Sequence, residues 1–296
     1  MFHDVEFQSE GATLRGRHYR NTETPKATIV MTHGTSATIT MAIDHYAQAI
    51  FEAGFDVLLY DHRNFGHSGG EPRQEINPWV QLRGYRDAVA FLRASHQVGP
   101  VALWGDSYSG GLALVAGALI DEVAAIIAQI PVCGATWPEG AAKDGALDSL
   151  RTIFESGDVR GGPDDVAGPM PVVSLDQLNA PSLLTPPQAV RWFLEYGGRH
   201  GTGWENRVTR VVPKTPVPCS PLVTAPHLNM PVLMMIGRND EMVHCNPDLQ
   251  DAVFEMIPGP KEKLVIDGGH FGLLWEDSPS FSKAVTAQIE FLGWVL

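Results

Sequence analysis

The chain has 296 residues, 44% of them hydrophobic and 19% charged, a balance that suits a large buried core and excludes a disordered or coiled-coil protein. Its 34 acidic against 21 basic side chains give a formal net charge of −13, so the average surface repels phosphate backbones and anionic headgroups, and no nucleic-acid partner is expected. Three cysteines, Cys133, Cys219 and Cys245, are scattered without C-x-x-C spacing. They suit neither a disulfide framework nor a cysteine zinc site, and the expected location is a reducing cytoplasm.

The N-terminal MFHDVEFQSEGATLRG lacks a basic stretch followed by an apolar one, so no secretory signal is read there. No membrane span is expected either, since the longest apolar candidate, LALVAGALI, ends at Asp121 and Glu122. Residues 2 to 20 read as two antiparallel strands around a turn at Glu10 and Gly11. Short apolar runs follow at 27 to 32, 55 to 60, 100 to 104 and 124 to 130, separated by helical stretches at 41 to 53 and 79 to 95. The pattern resumes with strands at 231 to 237 and 263 to 269 and helices near 246 to 257 and 280 to 293. This is the β-α-β alternation of an α/β protein with a mostly parallel eight-stranded sheet and helices on both faces.

Between 133 and 229 the sequence is rich in Pro and Gly, with helical fragments near 143 to 156 and 187 to 197. A structureless connection of that length is improbable in a compact domain. The expected organisation is therefore a core of 1 to 132 and 230 to 296, with a lid of 133 to 229 inserted after the sixth strand.

VALWGDSYSGGLALVAGAL places Ser107 between a buried strand and an apolar helix. A serine there sits on a sharp turn with its hydroxyl exposed at the C-terminal sheet edge, and the helix N-terminus favours developing negative charge. The positions two before and two after are crowded and usually glycine; here they are Gly105 and Ser109. Asp106 is the competing nucleophile, but centring the motif on it puts Trp104 and Tyr108 at the crowded positions.

A serine hydroxyl needs a base, and the base needs an acid. Asp240 in MMIGRNDEMV and His270 in VIDGGHFG follow successive strands, which puts both on loops at the sheet edge that carries Ser107. Glu241 and Asp267 are rival acids and rank below Asp240, being one residue past the expected position and three residues before the histidine. Two backbone donors for an oxyanion are assigned to Tyr108 and, in the loop MTHGTSAT, to Thr35, with Gly34 permitting the turn. His33 reads as a hydrogen-bonded structural residue. The loop YDHRNFGHSGGEPR at 60 to 73 reads as a surface turn in which Asp61 and Arg63 pair. No paired histidine spacing suggests a metal, and neither metal nor cofactor is expected.

Together THGT, YDHRNFGHSGGEPRQE, GDSYSGG, GRNDE and GGHF resemble the α/β-hydrolase superfamily, more narrowly its dienelactone-hydrolase-like and YcjY-like serine hydrolases. In that subgroup GxSYSGG is a familiar elbow, so Ser109 ceases to be anomalous. The resemblance covers both halves of the core, and in the lid it rests on WFLEYGG and WENRVTR. It implies cleavage of an ester or thioester through an acyl-enzyme on Ser107. The alternatives are an acyl or polyketide transferase with the same triad, a peptidase, or a noncatalytic binder. The expected partner is a small-molecule acyl substrate in a pocket lined by Trp137, Trp192, Phe193, Trp204 and Trp275, with exposed apolar lid surface available for a homodimer.

Overall fold

The computed structural model describes residues 1–21, 26–95, 98–138 and 144–296. In chain order its elements begin with β1 (Phe2–Ser9), β2 (Ala12–Tyr19), β3 (Thr28–Thr32), α1 (Ile43–Glu52), β4 (Asp56–Tyr60), β5 (Glu75–Ile76) and α2 (Pro78–Ser95). Next come β6 (Val101–Asp106), α3 (Ser107–Gly117), β7 (Val123–Gln129), α4 (Ala146–Ser156), β8 (Val166–Met170), α5 (Pro187–Gly197), β9 (Val208–Val211) and α6 (Pro221–Thr224). The chain closes with β10 (Val232–Gly237), α7 (Pro247–Met256), β11 (Lys261–Ile266) and α8 (Pro279–Val295). The helical fragment expected from 143 begins at Ala146; position 143 itself lies outside the described residues.

Eight strands form one sheet in the order β1-β2-β4-β3-β6-β7-β10-β11. β1 with β2 and β2 with β4 are antiparallel, and every pairing from β4 to β11 is parallel. Every residue of β3, β4, β6 and β10 is buried, because both faces are covered. That is why these strands read as unbroken apolar runs, whereas the edge strand β1 is mostly exposed.

Alternate residues feed two cores. Ile29, Met31, Leu59 and Trp104 pack with α1 and α8; Val30, Leu58, Leu103 and Ala128 pack with α2, α3 and α7. A buried amide chain ties α8 to the sheet: Trp104 Nε1 donates to Gln288 Oε1 (2.8 Å), and Gln288 Nε2 to Gln129 Oε1 (2.7 Å). The sheet order reverses at β3, between β4 and β6, so a crevice opens at the strand ends there. This is the α/β-hydrolase fold that the motifs imply.

The connection between β7 and β10 holds a feature that the sequence pattern conceals. A second sheet of three strands, ordered β5-β9-β8, joins two strands of the insertion to a two-residue strand just before α2. The insertion also divides between the two layers. α4 joins the core on the α2 and α3 side, while Trp192, Phe193 and Tyr196 of α5 join the opposite one.

Residues 60 to 73 correct the reading of a surface turn. Asp61, His62, Asn64 and Ser68 are buried, and most of their polar atoms are paired within the protein, His62 Nδ1 and Asn64 Nδ2 being the exceptions among the described residues. The expected Asp61–Arg63 pair does not form: Arg63 bonds Glu10 O, Asn64 Oδ1 and Glu71 O, while Asp61 accepts from the amides of Ile39 (2.9 Å) and His67 (3.0 Å). Burial outweighs local charge here, since a carboxylate inside must take fixed donors. Among the described residues no helix is long and apolar enough to cross a membrane.

The insertion is fastened to the core by Arg83 of α2. Its Nη2 donates to Ile153 O and Gly157 O (both 2.6 Å), its Nε to Phe154 O (2.9 Å) and its Nη1 to Glu10 Oε2 (2.8 Å). The guanidinium thereby caps the C-terminal carbonyls of α4, adding to the Gly157 N donor on Ile153 O and the Arg86 Nη1 donor on Phe154 O (both 3.1 Å). Arg83→Met removes four hydrogen bonds, including the ion pair to Glu10, and should destabilise the protein by about 2–4 kcal/mol. The check is thermal unfolding: a midpoint several degrees lower is expected, and a midpoint within one or two degrees of wild type contradicts this fastening role.

Candidate active site

Ser107 is the first residue of α3 and has φ +53°, a left-handed conformation that a serine adopts only under constraint. The turn is tight enough that a Cβ on Gly105 would overlap Ser109 O, and one on Gly34 would lie 2.8 Å from Asp106 Oδ2 and 3.0 Å from Ser107 Cβ. Position 105 therefore requires glycine, because the clash is with backbone, and at Gly34 an added Cβ would press on the Asp106 carboxyl and the Ser107 side chain. Val132 N donates to Ser107 O (2.9 Å) and holds the turn from the β7 side.

His270 Nε2 lies 2.9 Å from Ser107 Oγ, and its Nδ1 lies 2.8 Å from Asp240 Oδ2. Asp240 Oδ1 accepts from Met242 N (2.9 Å), which orients the carboxylate. With Nδ1–H given to Asp240, Nε2 is left as the acceptor for the serine hydroxyl, the tautomer that a base requires. The structure thus brings together the three residues expected from sequence.

The rival acids are occupied elsewhere. Glu241 Oε2 accepts from His270 N (2.8 Å) and so positions the histidine turn from its backbone. Asp267 pairs with Arg238 at 2.6 Å on the exposed surface, which holds its carboxyl below the ordinary value. Tyr46 OH donates to Leu273 O (2.6 Å) and anchors the same turn from α1.

Thr35 and Tyr108 both line the cavity beside Ser107. Tyr108 lies in the first turn of α3, where backbone amides lack an intrahelical acceptor. The loop carrying Thr35 is set by a network that the sequence reading missed. His33 Nδ1 bonds Gly34 O (2.9 Å), His62 N donates to His33 Nε2 (3.1 Å), and Ser109 Oγ joins His62 Nε2 (2.8 Å) to His33 O (2.5 Å). His33 has the structural role expected of it, and Ser109 is the hydroxyl that ties the elbow to this loop. Burial holds both rings below the ordinary histidine value, that of His62 well below, and keeps them neutral.

The cavity has a volume of about 350 Å³ and is mainly apolar, within the range of small-molecule sites. Of the five aromatics expected to line it, Trp192 and Phe193 do so. Trp204 and Trp275 do not reach it. They pack behind it against Phe193 (5.6 Å between ring centres) and Tyr196 (5.5 Å) respectively. Trp137 is half exposed beside a separate depression near Leu147 and Pro226. The sequence places four of these rings in the insertion and Trp275 in the core, but side-chain direction decides which ones face the cavity.

Among the described residues one group of three side chains could bring ligand atoms together around a metal: Asp240, Cys245 and His270, within 4.8 Å of one another. The donors suit a metal poorly. His270 Nδ1 is already bonded to Asp240, and burial pushes the Cys245 thiol well above its ordinary value, so it stays protonated.

Asp106 sits directly before the elbow, with Oδ1 buried and unpaired among the described residues. Burial pushes its carboxyl up to about 7, against the opposing effect of His270 and of backbone groups at Asp106 and Gly34. The folded chain therefore holds a proton there that the unfolded chain has released. The associated stability is full below about pH 4 and is lost as pH rises through 7. Asp106→Asn should gain on wild type as pH rises from 5 to 7, by at most about 1.4 kcal/mol per unit, and level off above. Paired thermal melts across pH 5 to 8 check this; a difference that does not change with pH contradicts it.

With this geometry established, comparison with known proteins is direct. The family described as "Serine aminopeptidase, S33" matches residues 23–196. The chain is 31% identical to the thiohydrolase aneE of Aspergillus aculeatus, over 100% of this chain and 94% of that protein. It is 28% identical to the quorum-quenching protein AidA of Acinetobacter baumannii, over 98% and 93% of the two chains. Other relatives bear the names acyltransferase and polyketide transferase. The crystal structure of the α/β hydrolase GrgF from Penicillium sp. superposes with a TM-score of 0.71 at 25% identity, covering 100% of this chain and 99% of the other. The chain belongs to the S33 serine aminopeptidase family of α/β hydrolases.

Proposed function

We propose that the protein is a serine hydrolase cleaving a small to medium carboxylic ester or thioester through an acyl-enzyme on Ser107. The observation that carries this reading is the unbroken hydrogen-bond chain from Asp240 through His270 to Ser107 at the floor of an apolar cavity. In the first step Ser107 Oγ attacks the acyl carbonyl while His270 Nε2 takes the hydroxyl proton, and Asp240 stabilises the imidazolium. The oxyanion rests on the amides of Thr35 and Tyr108. Collapse expels the alcohol or thiol, which leaves with the proton from His270. Water, deprotonated by the same ring, then attacks the acyl-enzyme and releases the acid.

Residues 133 to 229 act in this reading as a lid, whose α5 covers the cavity with Trp192 and Phe193 and is tied to the histidine turn by the bond from Trp192 Nε1 to Leu274 O (3.0 Å). The exposed Leu175, Leu178 and Leu194 of the insertion supply the surface for a homodimer, and the enzyme works in the cytoplasm. A second reading, favoured by the relatives named acyltransferase and polyketide transferase, keeps the acyl-enzyme and passes it to an alcohol or amine in place of water.

Incubation with a fluorophosphonate should add one adduct to the intact mass of wild type and none to Ser107→Ala. Turnover of p-nitrophenyl acetate, butyrate and octanoate should vanish in the same variant. Asp240→Asn should lower kcat by about 10³- to 10⁴-fold, by loss of the correct histidine tautomer. Well-folded wild type that takes no label would overturn the activated serine. Adding alcohols and amines during turnover separates the two readings, since acyl transfer that outcompetes water supports the transferase.

A further inference from the structure

We infer that Arg210, together with His244, forms a subsite at the edge of the cavity for an anionic oxyacid group, a carboxylate or phosphate, carried by the substrate. The inference rests on the cavity being the substrate site of the acyl-enzyme reading. Two separate elements bring the pair together. Arg210 lies on β9, in register with Ile76 of β5, and Ile76 lines the same cavity. His244 lies in the loop between β10 and α7, where its carbonyl accepts from Cys133 N (3.1 Å) and Gly134 N (3.0 Å). That loop also carries Asp240, so the subsite and the triad acid share one anchored segment.

Arg210 is set apart by its lack of partners. Every other arginine is engaged by a carboxylate, a carbonyl or an aromatic ring. Among the described residues Arg210 has no ion pair, hydrogen bond or ring contact, although the chain carries 34 acidic side chains. Both Arg210 and His244 are exposed at the cavity rim, so the guanidinium is a solvated planar fork of donors open to a ligand that enters the cavity. Its charge acts on His244, whose ring is held below the ordinary histidine value by burial first and by Arg210 second. A neutral His244 can add one further hydrogen bond to an anion held by the guanidinium. Apolar walls would take the acyl chain while this edge takes the charge, which orients the substrate with its carbonyl at Ser107.

The anion could be carried on the acyl group or on the leaving group, and two ligand pairs separate these sources. Calorimetric titration of Ser107→Ala, which leaves the esters intact, would compare monomethyl with dimethyl adipate, and S-butyryl-pantetheine phosphate with S-butyryl-pantetheine. In at least one pair the anionic member should bind about tenfold tighter than the neutral one. Adding Arg210→Gln should bring the two within about twofold. The pair that responds identifies which end of the substrate carries the charge. No preference in either pair, or a preference that survives Arg210→Gln, overturns the subsite. Fluorophosphonate labelling of wild type is read separately: a failed label with an intact Arg210-dependent preference overturns the acyl-enzyme and not the subsite, and a good label without the preference does the reverse.

Discussion

The joint between β6 and α3 is the constraint on which the rest depends. Ser107 is held at φ +53°, a conformation that costs a non-glycine residue about 1–2 kcal/mol. It persists because the surroundings leave no alternative. Gly105 permits Ser109 to approach, Gly34 permits the neighbouring loop to reach the serine, and Val132 N fixes the serine carbonyl. The strain projects the hydroxyl away from both strand and helix and toward His270, so a local backbone cost is converted into a fixed distance of 2.9 Å.

From that joint two polar networks spread in opposite directions. One runs through Ser109 to His62 and His33, and Asp61 holds Ile39 and His67 at its far side. It locks the loop carrying Thr35 with neutral imidazoles and one buried carboxyl, whose own value is raised by burial. The other runs through the histidine turn, held by Glu241 at its backbone, Tyr46 from α1 and Trp192 from α5. The Thr35 loop and the histidine turn are therefore each tied to the rest of the protein through several buried or part-buried bonds. A set of loops becomes a rigid site because each one is pinned by buried side chains that have few other partners to choose.

Much of this was legible in the sequence, and the reasons are particular. β3, β4, β6 and β10 announced themselves because strands covered on both faces must be apolar throughout. Ser107 and Asp240 were legible because they follow the buried strands β6 and β10, and His270 because it follows the next strand, β11, so the strand order placed all three at one edge. β5, β8 and β9 were not legible. They are two to five residues long, β8 contains Gly168 and Pro169, and pairing with a distant segment leaves no periodic trace. The loop at 60 to 73 misled for the opposite reason: polar composition suggested solvent, whereas Asp61, His62, Asn64 and Ser68 are buried and most of their polar atoms find partners inside the protein. Trp137, Trp204 and Trp275 show a further limit, because a local pattern identifies a large apolar side chain without saying which surface it faces.

Acyl transfer by this site requires a covalent intermediate at one oxygen atom, Ser107 Oγ. Rapid quenching of wild-type protein during turnover of p-nitrophenyl butyrate, followed by peptide mass mapping, measures it directly. The predicted result is a single butyryl group on the peptide containing Ser107, formed before steady state and decaying as the acid or the transfer product appears. An ester cleaved without any adduct, or an adduct on another residue, would contradict the account.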